Sequence, residues 1–272
     1  MTATVPRLYL LDVEGTVAPI SLVSEQLFPY ARAHFELFLR QSVAELEQKG
    51  DSLKPSDFGE GSVFWDLAMM RRENHAELDP DAPPILPDSV SELGSRGGPE
   101  SVSMSPAYGI PRILKYIYWL MDRDRKSTAL KSLQGKIWKV GFESGELKGT
   151  LFADVPDALT RWSEHARIAI YSSGSVEAQQ LLFRYSTFGD LTPKIAAYFD
   201  TRTGAKASSA SYAAIAAAVN VAPSEVLFLS DATPELDAAR QAGCATRLVI
   251  RPGNAPVVNE NGHSSLESFV AL

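Results

Sequence analysis

Two carboxylates one residue apart, Asp12 and Glu14, follow the apolar run Leu8-Tyr9-Leu10-Leu11 and precede Gly15-Thr16. Four consecutive apolar residues bounded by polar ones fit a short strand buried on both faces. Acidic groups at the carboxyl end of such a strand are costly to keep there unless a metal ion or a substrate offsets them. Open α/β sheets gather their chemistry along that edge. A strand whose polar end simply turns into solvent, with Gly15 serving the turn, would carry the same residues. What the later strands bring to the same edge decides between the two.

Residues 167–171 (Arg-Ile-Ala-Ile-Tyr) read as a second core strand, running into Ser172-Ser173-Gly174-Ser175. A short third strand is expected at 198–200, a fourth at 226–229 ending in Ser230-Asp231, and a fifth at 247–250, turned out by Arg251-Pro252-Gly253. Helical segments from residue 157 to the second strand, then over 176–185, 208–219 and 234–242, separate them. Ser175 is placed to cap the helix at 176. Strands alternating with helices imply parallel pairing through right-handed crossovers, an α/β fold with a doubly wound parallel sheet. In that arrangement Asp12, Glu14, Ser172, Ser173 and Asp231 converge on one edge.

Three acidic residues with little local cation suggest a hard divalent ion with oxygen ligands, Mg²⁺ first. His34, His75, His165 and His263 form no pair at zinc-ligand spacing, and Cys244 is the only cysteine. The Ser172-Ser173-Gly174 turn leads into a helix N-terminus, which offers hydroxyls and backbone N–H groups to an anion. Lys206, at the end of Thr-Arg-Thr-Gly-Ala-Lys, could supply the positive charge that a phosphate needs. A carboxylate nucleophile, a metal, an anion nest and a lysine together describe phosphoryl transfer through an aspartyl-phosphate.

The stretch after the first strand is helical. Apolar residues recur at helical spacing over 27–49, with Pro29 in the first turn and Gly50 as the stop. A second helix is expected over 63–78, with Trp65, Leu67, Ala68 and Met69 buried, and two more over 110–123 and 127–138. Between them, residues 79–109 carry six prolines, four glycines and six serines, enough to predict a long loop. The expected organisation is a catalytic core of 1–20 plus 149–272, interrupted by a helical cap insert at 21–148 that contains the 79–109 loop.

A net charge of −7 argues against a nucleic-acid backbone or an anionic membrane as the main partner. One cysteine permits no intrachain disulfide and suits a reducing compartment. The first residues lack the pattern of a signal peptide, and no apolar run approaches the ~20 residues of a membrane span. A cytoplasmic location is expected, with a nuclear pool allowed for, and a monomer is the expected state.

The chemistry-bearing residues carry a resemblance. Asp12-Val13-Glu14-Gly15-Thr16, the serines after the second strand, the later lysine and Ser230-Asp231 are similar to the D-x-D-x-T, S/T, K and acidic-pair pattern of the haloacid dehalogenase superfamily. Glu14 stands where most members have Asp, and D-x-E-G-T resembles the enolase-phosphatases of methionine salvage. The similarity continues through Leu27-Phe28-Pro29-Tyr30, Asp124-Arg125-Lys126, Leu133-Gln134-Gly135, Phe152-Ala153-Asp154-Val155, the Tyr171 to Gln179 run, Phe199-Asp200-Thr201 and Arg251-Pro252-Gly253-Asn254-Ala255. It covers nearly the whole chain except 79–109, which looks like an insertion.

The resemblance implies that Asp12 is the nucleophile and an Mg²⁺ ligand, with one ion per subunit. Glu14 would protonate the leaving oxygen and bind the metal through its backbone carbonyl, and Asp231 would complete the protein ligands. Ser172, Ser173 and Lys206 would hold the phosphate. The implied substrate is a small phosphorylated diketone, 2,3-diketo-5-methylthiopentyl-1-phosphate. It would be enolised and then dephosphorylated to the acireductone 1,2-dihydroxy-3-keto-5-methylthiopentene. A generic Mg²⁺-dependent small-molecule phosphatase of the same superfamily and a non-enzymatic, aspartate-phosphorylated scaffold are the competing readings. Glu235 follows Asp231 at helical spacing and could stand behind it, whereas Arg202 suits a surface role.

Overall fold

The run Leu8–Leu11 forms β1, the strand on which the sheet of this computed structural model is built; residues 5–85 and 106–272 are described. Five further strands complete a parallel sheet in the order β3-β2-β1-β4-β5-β6. They are β2 (Arg167–Tyr171), β3 (Ala197–Phe199), β4 (Val226–Ser230), β5 (Ala245–Val249) and β6 (Ser265–Leu266). Leu8 pairs with Arg167 on one side and Val226 on the other, and Leu11 with Ile170 and Leu229. This register brings residue 12 level with Tyr171 and Ser230 at the carboxyl edge.

Every residue of β1 and β4 is buried, because helices cover both faces. Side chains alternate along the strand. Leu8 and Leu10 share a core with Tyr212 and Ile215 of α7 (Ser209–Ala218) and Leu236 of α8 (Thr233–Gln241). Tyr9 points the other way and stacks on Trp162 of α5 (Val155–Ser163), ring centroids 4.3 Å apart and planes within 6°. Phe269 closes over the same indole at 5.2 Å. Between β2 and β3, α6 (Val176–Arg184) starts at Ser175, whose hydroxyl accepts from the Ala178 N–H at 3.3 Å.

The parallel α/β sheet is the expected fold, with three adjustments. The third strand lies one residue earlier than 198–200. The fifth starts two residues before 247, where Thr246 and Arg247 obscure the apolar run. β6 has two residues, too few to leave a periodic signal.

The chain divides into two compact units, Met1–Leu27 with Lys139–Leu272 and Phe28–Trp138. The helical unit contains α1 (Phe28–Lys49), whose buried stripe is Ala31, Phe35, Leu39, Val43 and Leu46. Ahead of it, Leu22–Leu27 forms a π-helical turn that apolar spacing did not reveal. In α2 (Val63–Ala76) the buried residues are Asp66, Leu67 and Met70, while Trp65 and Ala68 are exposed. The buried face is rotated from the expected one because it includes Asp66, a polar residue that apolar spacing does not assign to a core. Asp66 pairs with Lys136 at 2.6 Å and accepts from Ser132 at 2.9 Å. α3 (Pro106–Asp122) begins inside the stretch expected to be loop, with proline at its first position. The rest of that loop from 86 to 105 lies outside the described residues. α4 (Thr128–Ser144) continues six residues past Trp138. Among the described residues no helix is long and apolar enough to cross a membrane.

One ion pair ties the end of the chain to the loop after β1. The Asp154 carboxylate accepts from Arg251 at 2.9 Å, from the Ser268 hydroxyl at 2.8 Å and from the Phe269 N–H at 2.6 Å. The guanidinium lies between the Phe152 and Phe269 rings, 4.6 and 4.4 Å from their centroids, and donates to the Thr16 carbonyl. Burial acts to raise the Asp154 pKa, but Arg251 and the two further donors outweigh it and hold it below the ordinary 3.8. A depressed carboxylate stabilises the fold fully above its ordinary pKa, and that contribution disappears as pH falls through the lower folded value. Asp154→Asn should therefore cost about 2–3 kcal/mol at neutral pH, the scale of hydrogen bonds to a charged group. In urea titrations the gap between variant and parent should narrow below the ordinary value of 3.8. A gap independent of pH would remove the ion pair as its source.

Candidate active site

Asp12 leaves β1 with its side chain 5% exposed and both carboxylate oxygens engaged. Oδ1 accepts from the Val13 N–H at 2.8 Å and from Lys206 Nζ at 2.5 Å, and Oδ2 accepts from the Ser230 hydroxyl at 2.9 Å. Lys206 also pairs with Glu235 Oε2 at 2.7 Å, and Ser230 reaches the same oxygen at 3.2 Å. The four side chains form a closed ring in which Lys206 donates to Asp12 and Glu235, and Ser230 Oγ lies within hydrogen-bond distance of both, its one proton nearer Asp12. Glu14 Oε2 accepts from the Ser172 hydroxyl at 3.3 Å, and Ser172 Oγ in turn accepts from the Gly174 N–H at 3.0 Å.

The loop after β1 is shaped by Gly15. Its φ is +69°, and a Cβ there would lie 2.2 Å from Asp231 Oδ2. Asp231 is thereby seated against the backbone that carries Glu14. Asn254 donates to the Gly15 carbonyl at 2.9 Å.

Charge in this cluster is unbalanced. Asp12, Glu14, Asp231 and Glu235 are carboxylates, and Lys206 is bonded to two of them, Asp12 and Glu235. Burial, then the Asp12 charge, raises Glu14. The same two causes push Asp231 up to about 6 and Glu235 up to about 7. Burial alone would lower Lys206, but Asp12 and Glu235 outweigh it and the lysine stays charged. A hard divalent cation fits this donor set, since every donor is oxygen and the repulsion within the set is what such an ion relieves. Asn254 Oδ1, buried without a hydrogen-bond partner, lies 3.1 Å from the point a Gly15 Cβ would occupy and adds a neutral oxygen beside Asp231. Among the described residues no three His, Cys, Asp or Glu side chains are drawn into a cage. A set of two carboxylates and the Glu14 backbone carbonyl does not require one.

The fold thus brings Lys206 to Asp12 across 194 positions of chain and Ser172 to Glu14 across 158. Ser173 is exposed at the turn after β2. Arg202 is paired with Asp200 at 2.9 Å with its side chain 80% exposed, as a surface residue would be. Sequence reasoning missed the direct bond from Ser230 to Asp12, although a register placing residue 230 level with residue 12 would have shown it. It also missed Asn254, visible only as part of the Arg251 to Ala255 run.

Comparison with known proteins agrees with this geometry. A family model described as haloacid dehalogenase-like hydrolase matches residues 6–243. The Enolase-phosphatase E1 of Synechococcus elongatus is 47% identical over 249 residues, 91% of this chain and 90% of that protein. The Enolase-phosphatase E1 of Leptospira borgpetersenii is 41% identical, covering 97% and 96%. Among solved structures, the UTR4 protein of Saccharomyces cerevisiae aligns with a TM-score of 0.67 at 34% identity, over 98% of this chain and all of that one. The chain belongs to the enolase-phosphatase E1 family of the haloacid dehalogenase-like hydrolases.

Proposed function

We propose that this enolase-phosphatase takes 2,3-diketo-5-methylthiopentyl-1-phosphate through enolisation and then dephosphorylation, yielding the acireductone and phosphate. The observation that carries the phosphatase half is the Asp12 carboxylate, buried and oriented at the end of β1 by Lys206 and Ser230. An Asp12 oxygen attacks phosphorus, the ester oxygen departs, and an aspartyl-phosphate forms. Glu14, raised above its ordinary pKa by burial and by Asp12, is the group placed to give a proton to the departing oxygen. It then accepts one from the water that hydrolyses the aspartyl-phosphate. Lys206 and Ser172, with Ser173 at the same turn, bind the non-reacting phosphoryl oxygens. Asp12, Asp231 and the Glu14 carbonyl would hold Mg²⁺, which when bound neutralises phosphate charge and polarises a substrate carbonyl. Residues 28–138 form the helical insert of this catalytic unit. A cytoplasmic setting suits the single cysteine, Cys244, which is buried.

Asp12→Asn should lower turnover at least ~10³-fold, because the amide is no nucleophile. Its melting temperature should change little, since the variant also relieves repulsion among the remaining carboxylates and leaves Lys206 paired with Glu235. Phosphatase activity persisting in that variant would rule out the aspartyl-phosphate.

EDTA should silence the enzyme and added Mg²⁺ restore it. Turnover that survives chelation would take Asp231 out of its metal-binding role.

The decisive assay supplies the diketone phosphate and follows ultraviolet absorbance of the enol product together with phosphate release. Both signals should rise. Phosphate without the enol would instead favour a generic phosphatase of the same superfamily.

A further inference from the structure

The loop that carries Lys206 contains three consecutive backbone carbonyls, and each accepts a side-chain hydroxyl. Tyr171, the last residue of β2, donates to the Gly204 carbonyl at 2.9 Å. Ser211 donates to the Ala205 carbonyl at 2.8 Å, and Tyr212 to the Lys206 carbonyl at 2.7 Å, both from the first turn of α7. None of these bonds belongs to a helix or a strand. A loop of this length held only by solvent would leave a lysine side chain free to sample many positions. Here it is fixed from two elements of the core.

The donors are themselves immobile. Tyr212 is 1% exposed and Tyr171 fully buried, their rings meet edge to face at 5.7 Å, and Tyr212 also packs on Phe228 at 5.0 Å. Lys206 Nζ lies 5.9 Å from the Tyr171 ring centroid, so the same tyrosine that holds the loop also flanks the ammonium. Gly204 has φ of +147°, and a Cβ on it would fall 2.2 Å from Ser211 Oγ. The loop approaches α7 closely enough for the second bond only because residue 204 has no side chain.

We propose that Tyr171, Ser211 and Tyr212 are positioning residues for phosphoryl transfer, acting through the backbone of residues 204–206 to keep the Lys206 ammonium over Asp12. The inference rests on the reading of Lys206 as the phosphate-binding lysine. It adds that the site depends on hydroxyls that never touch substrate. An ammonium stabilises a transferring phosphoryl group only if it is already in place, because small displacements of a catalytic charge reduce rates steeply.

The test is a double-mutant cycle. Tyr171→Phe, Ser211→Ala and Tyr212→Phe each delete one hydroxyl with little change of shape. They are made singly in the parent and in a Lys206→Arg background, and kcat, KM and melting temperature are measured with the diketone phosphate and saturating Mg²⁺. In the parent, Tyr212→Phe should lower kcat about tenfold while KM moves much less, in line with loss of orientation at a reacting centre. In the Lys206→Arg background, where the longer guanidinium has already lost the native geometry, the same change should have little further effect. An equal fold-loss in both backgrounds would mean that the hydroxyls act independently of Lys206 and would overturn the proposal. So would a parent kcat unaffected by all three changes. If Lys206→Arg and Lys206→Ala both leave kcat and KM intact, the phosphate-binding role of Lys206 fails and the proposal falls with it, an outcome distinct from the other two. Should Tyr212→Phe fail to fold, Ser211→Ala supplies the same cycle.

Discussion

A carboxylate at the edge of a buried parallel sheet has given up its water, and the site follows from what this chain sets around Asp12 in its place. Three groups donate to its oxygens: the Lys206 ammonium, the Ser230 hydroxyl and the Val13 N–H. Each of those three arrives by a different route: the local turn after β1, the end of an adjacent strand, and a loop beyond β3. Sheet register supplies Ser230 without further design, because β4 is hydrogen-bonded directly to β1. Lys206 lacks that support and depends on aromatic residues and α7 behind it.

The acidic surplus has the opposite logic. Glu14, Asp231 and Glu235 are each pushed upward by burial and by Asp12, so like charges crowd in this cluster. Such a site is poised to gain from a divalent cation and an anionic substrate together, and less from either alone. Gly15 sets the geometry of this surplus, since only a residue without Cβ lets the loop lie against Asp231.

Much of this was legible in the residues themselves. Apolar runs ending in polar clusters marked β1, β2 and β4 and the edge where they meet, because fully buried parallel strands are continuous in hydrophobicity. Asp12, Glu14 and Asp231 could be placed at that edge for that reason. Lys206 has no local signature; a lysine in a polar loop looks solvated, and only its place in a wider pattern singled it out. Ser230, Tyr171 and Tyr212 were hidden because a hydroxyl at a strand end, or on a core aromatic, looks like packing until its partner is known. In the helical unit, α2 was turned to the wrong face because a buried Asp66 cannot be told from a solvated one without Lys136 across from it. β6 was missed because two residues make no pattern.

The order of the sheet has a consequence for how the protein is made. β1 is synthesised before both of its neighbours, β2 and β4, which leave the ribosome only after the entire helical insert and, for β4, some eighty further residues beyond it. Until then Leu8–Leu11 is an apolar segment with both edges unpaired. The centre of the sheet therefore waits on contacts of very long sequence separation to satisfy its backbone. Residues 28–138, whose helices pack on one another within a continuous segment, have no such delay. Nascent chains of this protein are therefore exposed to aggregation through β1 while its partners are still to be made.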